Sequence, residues 1–273
     1  MFVSPMLLDK YPAPVNDKSW ITELKLDGIR LLLSKFDNKI KLYTRHNNEI
    51  SSRFPELINL DIPNGTILDG ELIVANPSPD FDAVMRRFQS NYDTTPVQFV
   101  VFDIIYYKGE KVTNIPLIDR KALVEEAVPS DNYNIVPSKW IYGNAVEYFE
   151  LTKQNQLEGI VQKKATSPYS INARSPNWRK VIAYSYYDFV LISGVRKEKF
   201  GVLLTSKEGK SLGIMEFAPP EVRKEIYRNS KLLKIEENKD FVFLDPLMKC
   251  KVKYRNLTKN GKLRIPSFVE WVS

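Results

Sequence analysis

Glu23-Leu24-Lys25-Leu26-Asp27-Gly28-Ile29-Arg30 is the stretch on which the reading of this chain turns. Leu24 and Leu26 flank Lys25 in alternation, Asp27-Gly28 is a turn pair, and residues 29–33 open a second apolar run. The pattern predicts strand, turn, strand, with Lys25 at a strand end. An amine placed there becomes a nucleophile only when it is neutral, which needs desolvation or neighbouring cations to lower its pKa. Arg30 is one such cation. The bland alternative is an edge lysine beside a hairpin, the ordinary fate of so common a surface residue.

The chain around this stretch is long enough, at 273 residues, for two modest domains. No apolar run approaches bilayer length, and residues 1–8 lack a basic leader or a cleavage site, so a soluble, cytoplasmic protein of a bacterial or phage-infected cell is expected. Cys250 is the single cysteine, which excludes an internal disulfide. His46 is the single histidine and reads as a polar turn residue; with one His and one Cys, no zinc site of the usual spacing can be built. Charge is segregated. Residues 1–185 carry 22 basic and 22 acidic side chains, whereas residues 186–273 carry 18 against 11, so the whole excess of +7 lies in the last third. A neutral first module and a basic second one facing a polyanion follow from that division.

Downstream of the opening motif, Asp37-Asn38 separates two alternating runs and predicts a hairpin ending at Thr44-Arg45. Ser51 to Leu57 reads as a short helix start with Pro55 in its first turn. Thr66-Ile67-Leu68-Asp69-Gly70-Glu71-Leu72-Ile73-Val74 reads as a buried strand carrying two acids. Such acids are paired, metal-bound or set at a cleft, unless a bulge turns them to solvent. Asp69 fits a capped turn equally well. A loop at residues 76–79 precedes a short helix bearing Arg86 and Arg87, a charge pair either solvated or turned to nucleic acid. Residues 97–105 form a nearly continuous apolar run, a central strand, in which Phe102 is either core or a ligand platform. An amphipathic helix is expected over residues 116–128, and a second helix, opened by a cap-like Asn144, over residues 144–155. Leu157-Glu158-Gly159-Ile160-Val161-Gln162-Lys163-Lys164 reads as a strand with charged ends, and Trp178-Arg179-Lys180-Val181-Ile182 follows.

The last third alternates short strands, at residues 187–192, 200–205, 209–217, 241–244 and 250–255, with a helix at 220–230. Five strands and a helix suggest a small barrel. In Lys249-Cys250-Lys251-Val252-Lys253-Tyr254-Arg255 the four cations fall on one face and the apolar residues on the other. Lys259, Lys262 and Arg264 extend the basic stretch, which either meets a phosphate backbone or keeps an edge strand soluble.

Taken in order, these motifs resemble the nucleotidyl-transferase signatures of ATP-dependent DNA ligases of the small bacterial and phage type, relatives of RNA ligases and mRNA capping enzymes. The likeness runs over about residues 5–268. It implies an α+β fold: a nucleotidyltransferase domain of ATP-grasp-like antiparallel sheets with helices, residues 1–185, followed by a small OB-fold β-barrel, residues 186–273, that binds DNA. It implies Lys25 as the catalytic nucleophile toward ATP. Glu23 would accept from the adenine amino group, Arg30 and Glu71 would fix the ribose side, Phe102 would stack on the base, and Arg45, Lys163 and Lys180 would contact nucleotide or phosphate. Glu71 and Glu158 would hold Mg²⁺. Lys249, Lys251, Lys253, Arg255 and Arg264 would engage DNA, and the partner implied is nicked duplex DNA, bound by a monomer with no membrane association. The barrel would swing on a hinge near residues 184–187. Two departures stand out: Ile182 occupies a position where the family commonly has a second lysine, and the usual basic motif ending in Asp-Lys is missing after Phe268. An RNA-joining or capping enzyme, or a non-catalytic polynucleotide-binding protein on a ligase scaffold, are the competing expectations.

Overall fold

Antiparallel strands make up most of the regular structure because short apolar alternations outnumber helical ones. The computed structural model describes residues 1–74, 80–90 and 92–272, so the loop expected at residues 76–79 lies outside the described residues. They form two compact units, Met1–Ile182 and Ala183–Ser273.

The first unit contains strands β1 (Leu7–Lys10), β2 (Trp20–Leu24), β3 (Ile29–Phe36), β4 (Lys39–Thr44), β5 (Thr66–Ile73), β6 (Gln98–Tyr107), β7 (Glu110–Lys111), β8 (Ile135–Pro137), β9 (Trp140–Tyr142), β10 (Gly159–Lys164) and β11 (Arg174–Ile182). Three helices, α1 (Phe81–Gln89), α2 (Leu117–Ala127) and α3 (Ala145–Gln154), lie between them. One sheet runs β1-β11-β10-β2-β9 and the other β4-β3-β5-β6-β7, with β8 parallel to β6. The two strands of the opening motif are therefore not a hairpin. The Asp27-Gly28 turn carries the chain from one sheet to the other, leaving Lys25 at the crossing. Glycine is required at position 28, since a Cβ there would meet the Leu72 carbonyl oxygen at 2.2 Å.

A true hairpin joins β3 to β4. Asp37 and Asn38 take φ of 49° and 56°, the left-handed pair that matches strand twist in a two-residue turn. The helix expected after Ser51 is instead two 3-10 turns, Ser51–Arg53 and Pro55–Leu57. Ser51 does not cap them; its Oγ accepts from the Leu42 amide at 3.0 Å. The main core of this unit packs Leu31, Leu33, Phe54, Leu68, Phe99 and Val101 against helix residues such as Val84 and Val124. Arg87 is neither solvated nor turned outward. It is 6% exposed, donates to the Arg53 carbonyl at 2.8 Å, pairs with Glu56 at 3.1 Å and lies 4.9 Å from the Phe54 ring centroid.

The second unit contains β12 (Ser185–Arg196), β13 (Val202–Thr205), β14 (Ser211–Met215), α4 (Pro220–Ser230), β15 (Lys234–Glu237), β16 (Phe241–Leu244), β17 (Lys249–Tyr254) and β18 (Ser267–Trp271). They form one sheet of seven strands, ordered β14-β13-β12-β16-β15, with β17 between β12 and β18. Two strands beyond the five expected are present. β15 escapes a periodicity reading because all four of its residues are exposed, and β18 because its two exposed residues, Val269 and Glu270, are adjacent and break the alternation. Most of the stretch expected to act as a hinge, residues 184–187, lies within strand β12. Ser185, Tyr186 and Tyr187 pair with Tyr254, Lys253 and Val252, which leaves only residues 183–184 outside a ladder.

Candidate active site

Each sheet of the first unit offers one face to a common cavity, and strand register decides which side chains reach it. In the first sheet Glu23 lies opposite Val161, Val161 opposite Lys180, and Lys163 opposite Trp178. Directly paired residues share a face, so Glu23, Val161, Lys163, Trp178 and Lys180 project together. Lys25 continues the row, its amide donating to the Gly159 carbonyl at 2.9 Å. In the second sheet Arg30 lies opposite Glu71. Here β6 carries a bulge: Asp69 pairs with Asp103 and Gly70 with Val101, so Phe102 is the extra residue. Bulges re-aim a side chain, and this one sends the Phe102 ring into the cavity. Gly70 permits the close approach, because a Cβ there would meet the Val100 carbonyl oxygen at 2.4 Å.

The cavity is lined by Glu23, Lys25, Arg30, Glu71, Phe102 and Lys163, six of the residues singled out in the sequence, together with Leu8, Leu24, Leu26, Ser138, Val161 and Trp178. At its more open end Lys25 Nζ donates to Glu158 Oε2 at 2.7 Å, the two side chains being 18% and 3% exposed. Glu71 is close enough to Lys25, Arg30, Glu158 and Asp69 to feel all four charges. Burial pushes its carboxyl up to about 7, the nearby cations Lys25 and Arg30 opposing and the carboxylates Glu158 and Asp69 adding to the rise. Arg30 is held by a fork of two bonds to Asp69, 2.9 and 2.6 Å, and its guanidinium lies 5.0 Å from the Phe102 ring centroid. Asp69, fully buried, also accepts from Tyr169 Oη at 2.7 Å. It is therefore an anchor rather than a capped turn.

The inner end is a closed polar cluster. Glu23 Oε2 pairs with Lys163 Nζ at 2.6 Å, while Oε1 accepts from Ser138 Oγ at 2.9 Å and from Lys121 Nζ. Burial would raise the Glu23 carboxyl, but Lys121 and Lys163 hold it down at about 2. Lys163, 2% exposed, sits 4.4 Å from the Phe102 centroid and 4.2 Å from that of Trp178. Burial lowers its ammonium to about 8 against the pull of Glu23. Lys163 thus lies at the inner end, against Glu23, rather than reaching outward toward phosphate as the motif alone implied.

Other expected residues are placed elsewhere. Lys180 lies on the cavity-facing side of β11 by register, and Ile182, two residues on, is opposite Gly159 and so next to Lys25 in the row. Arg45 is exposed in the turn after β4 and is not part of the cavity wall. In the second unit, β17 alternates as expected: Cys250 and Val252 enter its core. On the other face Lys249, Lys251 and Lys253 lie 5.8, 5.5 and 5.1 Å from the ring centroids of Phe189, Tyr186 and Tyr184, and Lys251 also pairs with Asp188 at 2.7 Å. Arg255 and Arg264 are backbone neighbours, the Arg255 amide donating to the Arg264 carbonyl at 3.1 Å. Sequence reasoning missed Lys121 and Ser138 altogether. It also missed that Asp103, beside Phe102, holds Arg120 through two bonds of 2.7 and 3.0 Å, both residues fully buried.

Apolar walls, an aromatic face, a buried ionised acceptor at one end and an amine against a carboxylate at the other can hold a purine and present a nucleophile to its phosphates. Trp178 Nε1, buried in the wall, finds no acceptor among the described residues. Among those residues no cluster of three or more Asp, Glu, His or Cys side chains is arranged for a metal. Two carboxylates, Glu71 and Glu158, suit Mg²⁺, which takes most of its ligands from water and phosphate oxygens. No helix among the described residues is long and apolar enough to cross a membrane.

This is the kind of site found in nucleotide-dependent transferases, and comparison with known proteins narrows it. The family model of the ATP dependent DNA ligase domain matches residues 5–181. The SPbeta prophage-derived DNA ligase-like protein LigB of Bacillus subtilis (strain 168) is 51% identical over 273 residues, 99% of each chain. A DNA ligase of Thermococcus fumicolans is 25% identical over 90% of this chain, which spans only 50% of that larger protein. Among solved structures, mycobacterial DNA ligase D complexed with ATP and MES aligns with a TM-score of 0.62 at 22% identity, covering 99% of this chain and 95% of that one. A minimal-scaffold Lig E DNA ligase aligns at 0.71 with 16% identity over the whole of both chains, a likeness of fold. The chain belongs to the ATP-dependent DNA ligase family, an enzyme family that seals nicks by way of a lysyl-AMP.

Proposed function

We propose that this protein seals nicks in duplex DNA as a monomer, with Lys25 as the residue that takes up AMP. The observation that carries the reading is the Lys25 ammonium, paired with Glu158 at 2.7 Å at the mouth of a cavity walled by Phe102 and closed by the ionised Glu23. Lys25 attacks once its ammonium has given up a proton, and Glu158 is the carboxylate in contact with it. Nζ then bonds to the α-phosphorus of ATP as the bond to pyrophosphate breaks. AMP passes next to a 5′-phosphate at the nick, and the 3′-hydroxyl displaces it to join the strand.

Glu23 accepts from the adenine amino group, Phe102 and Val161 enclose the base, and Arg30, fixed by Asp69, orients the ribose side with Glu71. Lys180 is the cation at the phosphate end, Lys163 serving the base end instead. Mg²⁺, held through Glu71 and Glu158, would offset charge on the transferring phosphate. The second unit acts as an OB-type barrel whose Lys249, Lys251 and Lys253 face, with Arg255 and Arg264, binds DNA; cations beside partly exposed rings are suited to a phosphate backbone and its bases. The test is a sealing assay with purified protein, ATP and Mg²⁺ on nicked DNA and on nicked RNA. Joining of DNA that is lost in Lys25→Ala is expected; no joining of DNA, or joining that survives the substitution, contradicts the proposal.

A further inference from the structure

Nucleotide transfer needs Glu23 only as an acceptor, yet three elements distant in sequence converge on it. Lys121 comes from α2 and Lys163 from β10, while Ser138 stands between β8 and β9 with its amide tied to the Val101 carbonyl at 2.7 Å. Lys121 is 4% exposed and is not part of the cavity wall; it meets the carboxylate from behind. Its Nζ also donates to Ser138 Oγ at 2.8 Å, and Ser138 donates in turn to Glu23 Oε1 at 2.9 Å. The three groups close a triangle that leaves the Glu23 side chain a single orientation.

The chemistry of that carboxylate decides which purine suits it. Ionised, it can only accept; protonated, it can donate. Oε1 is filled by Lys121 and Ser138, whereas Oε2 meets Lys163 alone among the described residues, which leaves it acceptor capacity, and Glu23 lines the cavity. A purine with a 6-amino group donates to Oε2. A 6-oxo purine sets an acceptor against it, and the unpaired groups then weigh against binding.

We propose that Lys121, acting through Glu23 together with Ser138, is the positioning residue that makes this cavity select a 6-amino over a 6-oxo purine. The inference rests on the nucleotide reading above and extends it. Removing the Lys121 charge lets burial raise the Glu23 carboxyl, so the acceptor is partly converted to a donor. The titratable groups facing Glu23 are Lys121 from α2, Lys163 from β10 and Tyr148 from α3, whose hydroxyl burial raises further out of the titrating range.

The experiment compares wild type, Lys121→Met and Ser138→Ala in forming the protein-bound nucleotide from ATP and from inosine triphosphate, which carries a 6-oxo group and an N1–H in place of the 6-amino group and the N1 acceptor. Thermal melting reports folding. The ratio of kcat/KM for the two nucleotides should fall by about tenfold or more in Lys121→Met, through a raised KM for ATP, and by less in Ser138→Ala. In Lys121→Met the ratio should also decline as pH is lowered from about 8 to about 6, while the wild-type ratio stays flat. A folded Lys121→Met with the wild-type ratio overturns the inference and leaves the functional reading intact. If Lys121→Met does not fold, an unchanged ratio in Ser138→Ala overturns it and a lowered one supports it. A wild type that takes up no AMP sinks both.

Discussion

The two ends of the cavity are built on opposite principles. At the base end the charges are paired: Glu23 meets both Lys121 and Lys163, and the three are 3%, 4% and 2% exposed. At the phosphate end Lys25 has its contact with Glu158, but Glu71 is half-buried with a carboxyl pushed up to about 7 and makes no ion pair among those resolved in the described residues. A closed cluster holds one geometry and reads a ligand. An under-satisfied set can exchange partners when phosphate and metal arrive, which transfer chemistry requires and stability resists.

Substitutions should separate the two ends. The largest effect belongs to Lys25→Ala, which removes the nucleophile and should lower AMP uptake by at least about 10³-fold. Next, Asp69→Ala leaves Arg30 and its buried surroundings without a counter-charge. It should cost about 3–5 kcal/mol in urea unfolding and weaken nucleotide binding as well. Asp103→Ala, which strands the fully buried Arg120, should cost a similar amount in stability without altering the choice between ATP and inosine triphosphate. Equal loss of selectivity in both variants would break the distinction between scaffold and site.

Glu71 offers a test in pH. Its folded carboxyl titrates near 7, above the ordinary 4.5, so between those values the folded state binds more protons than the unfolded one. Stability therefore falls as pH rises through this window, and the ionised side chain is a burden above it. Glu71→Gln should be more stable than wild type at about pH 8 by roughly 1–3 kcal/mol, and no more stable at about pH 4, with activity lost at both. A variant less stable than wild type at the higher pH would show that the phosphate end is not under strain. The smallest effect is expected from Arg45→Ala: the residue is exposed and outside the cavity, so KM for ATP should change by less than about twofold.

Much of the outer end was legible in the sequence because it is carried by strand alternation. Acids within an apolar strand, as at Asp69 and Glu71, point to a cleft, and Lys25 beside Asp27-Gly28 marks a strand end. What alternation cannot supply is register and long-range partnership. The strands of the opening motif fall in different sheets, which only the packing of Gly28 against Leu72 reveals. Lys163 looked free to reach phosphate until its pairing opposite Trp178 set it beside Glu23. Lys121 sits on a helix that reads as scaffold, and its partner Glu23 is 98 residues away. Phe102 and Asp103 are adjacent, yet a bulge sends one to the cavity and the other to Arg120.

The central claim is that one amine, at the crossing between two sheets, forms the bond to AMP. Incubating the protein with ATP and Mg²⁺, digesting it and locating the added AMP by tandem mass spectrometry tests this directly. The account predicts a single acid-labile AMP on the peptide containing Lys25. AMP attached to Lys163, Lys180 or any other residue, or no attachment at all, contradicts it.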